Sequence, residues 1–212
     1  DLGLPGEETS LYTLGPVGIE IAKQRHGRPP LTGYLGYTLQ RTLHDLLRNE
    51  IVLRFSAFAR SLGWSVAWLS HQESTLQKDG EVLLEPDAML KLKRDGKQKD
   101  FLLEYHDEDT PTHAWKKFRQ YERASRTDAW PRQWETDAFP VVLAVFRNPA
   151  IGQGYQSAVK ECEQVHCTYY GKVLKGVLAG SLAEWMNILT GGRESLLDER
   201  PLQPDTAAPS SA

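Results

Sequence analysis

Hydrophobic spacing divides the chain into a long helical stretch followed by short strands and helices. From about Tyr34 to Leu62, YLGYTLQRTLHDLLRNEIVLRFSAFARSL sets Leu39, Leu43, Leu46, Leu53 and Ala57 on one stripe at three- and four-residue steps, which predicts an amphipathic helix. After Gly63 the pattern shortens to strands at Ser65 to Leu69, Ala88 to Leu92, Asp100 to Tyr105 and the apolar run Val141 to Phe146, which reads as a central strand. Helices are expected at about Thr112 to Ser125, where Thr110 and Pro111 suit the cap and first turn, and at about Gly154 to Gln164. Cys167 to Tyr170 reads as a last strand, and Ser181 to Leu189 as a short helix capped by Ser181. This alternation implies an α/β domain with a mixed sheet.

Flanking segments are punctuated differently. Leu11 to Leu14 alternate like a short strand, Gly15 and Pro16 turn the chain, Val17 to Arg25 suit a turn or two of helix, and Arg28, Pro29 and Pro30 read as a linker. From Gly191 onward the Pro-, Ser- and Ala-containing tail is expected to be disordered. The expected organisation is an N-terminal segment at 1–30, an α/β domain at 34–190 and a tail at 191–212. The chain opens at Asp1 without a methionine, so an upstream segment is expected.

Composition narrows the class without naming a chemistry. With 212 residues, 40% of them hydrophobic, the chain can bury one sizeable core, and no apolar run approaches the roughly 20 residues needed to span a bilayer. A cytoplasmic protein is expected. The two cysteines, Cys162 and Cys167, provide no disulfide framework and, with His166, fall short of a four-ligand zinc pattern. Neither a Gly-x-Ser-x-Gly elbow nor a phosphate-binding Gly-x-x-x-x-Gly-Lys-Ser/Thr loop occurs, and Gly152-Gln153-Gly154 has no third glycine at the dinucleotide spacing, so serine-hydrolase chemistry, ATP and NAD are not indicated. Trp130 and Trp134, in AWPRQWE, are read as a loop that either packs or stacks on bases.

Net charge is -3, but the charge is segregated. Lys91, Lys93, Arg94, Lys97 and Lys99 form one basic run, and Lys116, Lys117, Arg119, Arg123 and Arg126 a second, with Asp100, Glu104, Asp107, Glu108 and Asp109 between them. Arg94-Asp95-Gly96-Lys97 carries the Asp-Gly pair favoured in two-residue hairpin turns, which sets paired positions to sum to 191. On that register Asp87 faces Glu104 and Glu85 faces His106 on one face of the hairpin, while Ala88 with Leu103 and Leu90 with Phe101 form a core face. Opposed like charges destabilise a sheet, so Asp87 and Glu104 need a compensator, and a divalent cation with oxygen ligands is an economical one. Glu50, inside the apolar stripe of the long helix, must likewise be paired, protonated or metal-bound; a salt bridge to an arginine is the plain alternative.

These residues resemble the PD-(D/E)XK nuclease-like superfamily. Pro86-Asp87 is similar to its PD element, Glu104-Tyr105-His106 to its (D/E)XK element with His106 in the lysine slot, Glu50 to the acidic residue on its first core helix, and Lys117 with Tyr121 to a Gln-x-x-x-Tyr element. More narrowly, LYTLGPVG, TLHDLLRNE, EPDAML, FLLEYHDEDT, WKKFRQY and VVLAVF, in that order, resemble the replication-relaxation family of bacterial plasmids and mobile elements. The resemblance implies a nuclease-like α/β domain preceded by a winged-helix remnant.

It also implies DNA as partner, with a relaxase or replication protein as a further candidate. Asp87, Glu104 and Glu50 would hold Mg²⁺ or Mn²⁺. Lys117 or His106 would position or deprotonate water, and Lys116, Lys117, Arg119, Tyr121 and Arg123 would contact nucleic acid. Two readings remain open: a DNA-binding module with little or no nuclease activity, and an active metal-dependent endonuclease. Histidine is neutral over much of the physiological range and substitutes poorly for a fixed positive charge, which favours the first.

Overall fold

The computed structural model describes residues 16–26, 38–108 and 110–197. The chain divides into two units, residues 1–47 and 48–212, with the boundary inside the second helix. In the first unit lies α1 (Pro16–His26), on which Val17 and Ile21 are exposed. The expected strand at 11–14 and linker at 28–30, and with them most of the segment expected as a winged-helix remnant, lie outside the described residues.

Next comes α2 (Leu39–Ser61), whose Arg41 amide donates to the Thr38 hydroxyl at 3.3 Å, a cap that relieves one unpaired donor of the first turn. The second unit continues with β1 (Ser65–Ser70), α3 (His71–Ser74), β2 (Leu76–Lys78), β3 (Glu81–Leu84), β4 (Ala88–Arg94) and β5 (Lys97–His106). It then runs through α4 (Thr112–Ser125), α5 (Ala129–Trp134), β6 (Val141–Phe146), α6 (Pro149–Glu161), β7 (Tyr169–Val173), α7 (Leu174–Leu178), β8 (Glu184–Asn187) and β9 (Arg193–Ser195). This is a mixed α/β architecture: a seven-stranded sheet in the order β1-β4-β5-β6-β7-β8-β9, flanked by helices, with β2-β3 as a separate hairpin. The β5-β6 and β6-β7 pairs are parallel; the other neighbours are antiparallel.

The hairpin register is the one set by the turn. Arg94 pairs with Lys97, Leu90 with Phe101 and Ala88 with Leu103. Asp95 and Gly96 both take positive φ, at 51° and 74°, as a type I′ turn requires. The carboxylate-bearing face is nonetheless buried, contrary to a hairpin with one core face. Parallel strands need crossover helices, and those between β5, β6 and β7 roof that face. Met89, Leu102, Val142, Ala144 and Tyr169 pack there under Phe118 and Tyr121 of α4 and Tyr155 of α6. On the opposite face Leu90, Leu103 and Leu143 meet Ile51, Val52 and Phe55 of α2 and Trp185.

Several expectations are revised. The buried row of α2 in the second unit is Ile51, Val52, Phe55 and Ala59, whereas Leu53 of the expected stripe is 56% exposed. Glu50 therefore lies at the edge of the apolar face. Ser181 to Leu189 contains strand β8, because its backbone pairs with the edge of β7 at Tyr170 and Gly171. Tertiary pairing overrides local helical preference there. AWPRQWE contains α5: Trp134 is buried and donates to the Ser74 carbonyl at 3.1 Å, Trp130 donates to the Ser125 carbonyl at 3.0 Å, and both rings pack against Phe139. Part of the expected tail is strand β9; residues 198–212 lie outside the described ones.

Candidate functional site

Asp87 precedes β4, and its position is fixed from both sides. Its amide donates to the Leu103 carbonyl at 3.0 Å, and its Oδ2 accepts from the Tyr105 amide at 2.7 Å. The carbonyl of neighbouring Pro86 accepts from His71 Nδ1 at 2.9 Å, so α3 holds the turn into β4 in place. The aspartate is thus hydrogen-bonded across to the strand that carries Glu104.

Glu104 is 4% exposed beneath α4. Its Oε1 lies 2.9 Å from Lys117 Nζ, and its Oε2 accepts from the Tyr121 hydroxyl at 2.9 Å. Lys117 and Tyr121 reach one carboxylate together because residues four apart on a helix stand one above the other. Lys117 also donates to the Glu85 carbonyl at 2.7 Å. Burial pushes the Glu104 carboxyl above its ordinary value, and nearby Asp87 adds to the rise. Burial opposes the Lys117 ammonium, but Glu104 and then Asp87 outweigh it and hold the lysine above its ordinary value. Burial, followed by Glu104, raises the Tyr121 hydroxyl well above the tyrosine range.

His106 has a different environment. It is 2% exposed, its ring stacks on Phe146 at 5.5 Å, and its Nδ1 lies 2.7 Å from Glu108 Oε1. An ionised carboxylate only accepts, so Nδ1 carries a proton, and Nε2 at 3.3 Å from the Tyr155 hydroxyl completes a buried network. Burial disfavours ionised Glu108, yet the hydrogen bond and charge of His106 prevail and hold its carboxyl below the ordinary value. Phe146 is itself closely packed: a Cβ on Gly152 or Gly171 would stand 3.2 or 3.1 Å from its ring.

Glu50 does not join this group. Its Oε1 accepts from Arg54 Nε at 2.6 Å, and Arg54 also donates to the Leu178 carbonyl at 2.7 Å. Its helix packs on the sheet face opposite to Glu104, since Leu103 and Glu104 alternate across β5. Among the described residues, no group of three or more His, Cys, Asp and Glu could hold a metal ion. Both oxygens of Glu104 are engaged by donors, Lys117 Nζ and the Tyr121 hydroxyl, so the Mg²⁺ implied by the resemblance would have to displace one of them to be held there.

The two basic runs are placed differently. On the hairpin, Arg94 donates to the Leu62 carbonyl at 2.7 Å and lies over Trp64, Lys99 donates to the Leu196 carbonyl at 2.7 Å, and Lys91 donates to the Trp134 carbonyl. These three cations fasten the sheet to its surroundings. On α4, Lys116, Arg119, Arg123 and the C-capping Arg126 follow three-, four- and three-residue steps and are all exposed. Arg119 lies 5.3 Å from the Trp115 ring, and the three arginines line a groove with Trp115 between α4 and α6.

Some groups that shape the site escape sequence reasoning. Glu122, buried one residue beyond Tyr121, accepts from the amides of His166 and Cys167 at 2.8 and 3.2 Å and from the Tyr169 hydroxyl at 2.8 Å. It ties α4 to the entry of β7. Burial pushes the Cys167 thiol up to about 12, which leaves it a packed, unreactive group. Glu108 could have been found two residues from His106, whereas Tyr155 and Phe146 carry no local signal. No described helix is long and apolar enough to cross a membrane. The chain matches no protein-family model, no curated protein and no solved structure.

Proposed function

We propose that the protein binds nucleic acid, DNA in the first instance, through the outer face of α4. The observation that carries this reading is the row Lys116, Arg119, Arg123 and Arg126, exposed at helical spacing, with side chains that make no hydrogen bond to the described residues. Such a row suits phosphates and reads little sequence. The finer assignment to a nuclease-like fold is supported by the helix, hairpin and parallel-strand order, and by the approach of Asp87, Glu104 and Lys117 at one end of the sheet. A role in plasmid or mobile-element replication or mobilisation, alongside a relaxase or replication protein, rests on the motif resemblance.

An electrophoretic shift of duplex DNA tests the binding reading. Each phosphate contact contributes a slope of about -0.9 to the dependence of log affinity on log salt, so four contacts give about -3.6. Absence of a shift at low salt overturns it.

A second reading, phosphodiester cleavage, is favoured by one observation: Lys117 Nζ, 2.9 Å from Glu104, brings a lysine to the carboxylate pair where His106 supplies none. Supercoiled plasmid incubated with Mg²⁺ or Mn²⁺ tests it. Cleavage lost in Asp87→Ala and Glu104→Ala supports it; cleavage that is absent, or unchanged in both variants, removes it.

A further inference from the structure

Where β6 and β7 end, a cavity of about 460 Å³ opens against the start of α6. Neither Asp87, Glu104 nor Lys117 lines it. Carboxyl ends of parallel strands are where open α/β sheets commonly hold ligands, and this volume falls in the range of small-molecule sites. Its walls include Phe146, Trp185 and Met186, with the amide side chains of Gln153 and Gln156 on the α6 side.

Two cations and one carboxylate share this space: Lys172 at the end of β7, Arg193 on β9 and Glu184 at the start of β8. The Lys172 ammonium donates to the Glu184 carbonyl and lies 5.6 Å from the Trp185 ring. Burial, and then the charge of Arg193, pull Lys172 below the ordinary lysine value, and the Glu184 carboxylate does not make up the difference. Arg193 is exposed, and its side chain makes no hydrogen bond to the described residues. Two cations against one carboxylate leave this partly apolar cavity net positive, a field that attracts an anion.

We propose that this cavity binds a small molecule with an oxyanion head, seated between Lys172 and Arg193, and an apolar or planar body against Phe146 and Trp185. Phosphate and carboxylate heads share this chemistry. The site is separate from the α4 face and stands or falls without it.

Isothermal titration of the full chain tests the proposal with adenosine 5′-monophosphate, inorganic phosphate and benzoate as probes and adenosine as the uncharged control. Saturable binding of at least one anion and none of adenosine is expected. Lys172→Gln and Arg193→Gln should each weaken binding about tenfold or more, the scale of a charge-assisted hydrogen bond, and Lys172→Arg and Arg193→Lys should retain most of it. The phosphate and benzoate arms identify the head group, and a response from either supports the site. Arg193→Gln removes an exposed side chain, so its reading holds whatever Lys172→Gln does to folding. No saturable binding by any anion, equal binding of adenosine, or binding unchanged in Arg193→Gln overturns the proposal.

Discussion

Replacing Lys117 with methionine would expose the electrostatics of the candidate site most plainly. The substitution keeps most of the apolar stem but takes the ammonium from Glu104, whose side chain is 5% exposed, and from the Glu85 carbonyl. Removing one partner of a buried pair typically costs about 3–5 kcal/mol; with Lys117 itself 27% exposed, the lower end, about 3 kcal/mol, is expected. The loss has a ceiling, because Glu104 can take up a proton. Its folded value is already above the ordinary 4.5, and loss of Lys117 raises it further. A carboxyl raised on folding destabilises progressively as pH rises from the unfolded value through the folded one. The deficit should therefore be full near pH 8 and shrink towards pH 5. Urea unfolding followed by tryptophan fluorescence at both pH values measures it, and Glu104→Gln in the Lys117→Met background should recover most of the loss. A deficit below about 0.5 kcal/mol at pH 8, typical of an exposed pair, or one independent of pH, would refute the buried-pair account.

Three further outcomes follow from the packing and ionisation described above. Glu122→Ala strands the donors of His166, Cys167 and Tyr169, and at about 1–3 kcal/mol for each unmet buried donor it should cost at least about 3 kcal/mol in urea unfolding. Gly154→Ala places a Cβ 2.5 Å from Pro111 Cβ, so α6 must move from the start of α4; a loss of about 1–3 kcal/mol is expected, visible as a lowered Tm. Burial holds the hydroxyls of Tyr121 and Tyr155 well above their ordinary 10.0, so their protons stay on in the folded state at pH values where the unfolded chain releases them. Their contribution is complete below pH 10 and is lost above it, so stability should fall steeply in alkali, and Tyr155→Phe should flatten that fall.

What the sequence made legible follows the range of each signal. The hairpin register came from Asp95-Gly96 alone, because a two-residue turn fixes every pair above it. The meeting of Lys117 and Tyr121 was legible as a four-residue helical step, but their shared target, Glu104, lies more than ten residues away and needed the crossover packing. The row Leu39 to Ala57 misled because α2 carries apolar side chains on neighbouring faces; Ile51, Val52 and Phe55 face the sheet, and Glu50 moves to the edge, where Arg54 meets it. The burial of His106, which the resemblance sets in a lysine slot, was not legible, since Phe146 and Tyr155 come from β6 and α6. Strand β8 was hidden because its pairing with β7 on one side and β9 on the other, not its own apolar pattern, makes it a strand.

The nucleic-acid reading is tested most directly by comparing two charge-matched double variants in the DNA shift. Arg119→Gln/Arg123→Gln on α4 and Lys93→Gln/Lys97→Gln at the exposed hairpin tip change net charge equally. The account predicts that the α4 variant loses affinity strongly and flattens the salt slope by about 1.8, two contacts at about 0.9 each, while the hairpin variant stays close to wild type. Equal losses in the two variants, or a larger loss from the hairpin, would contradict it.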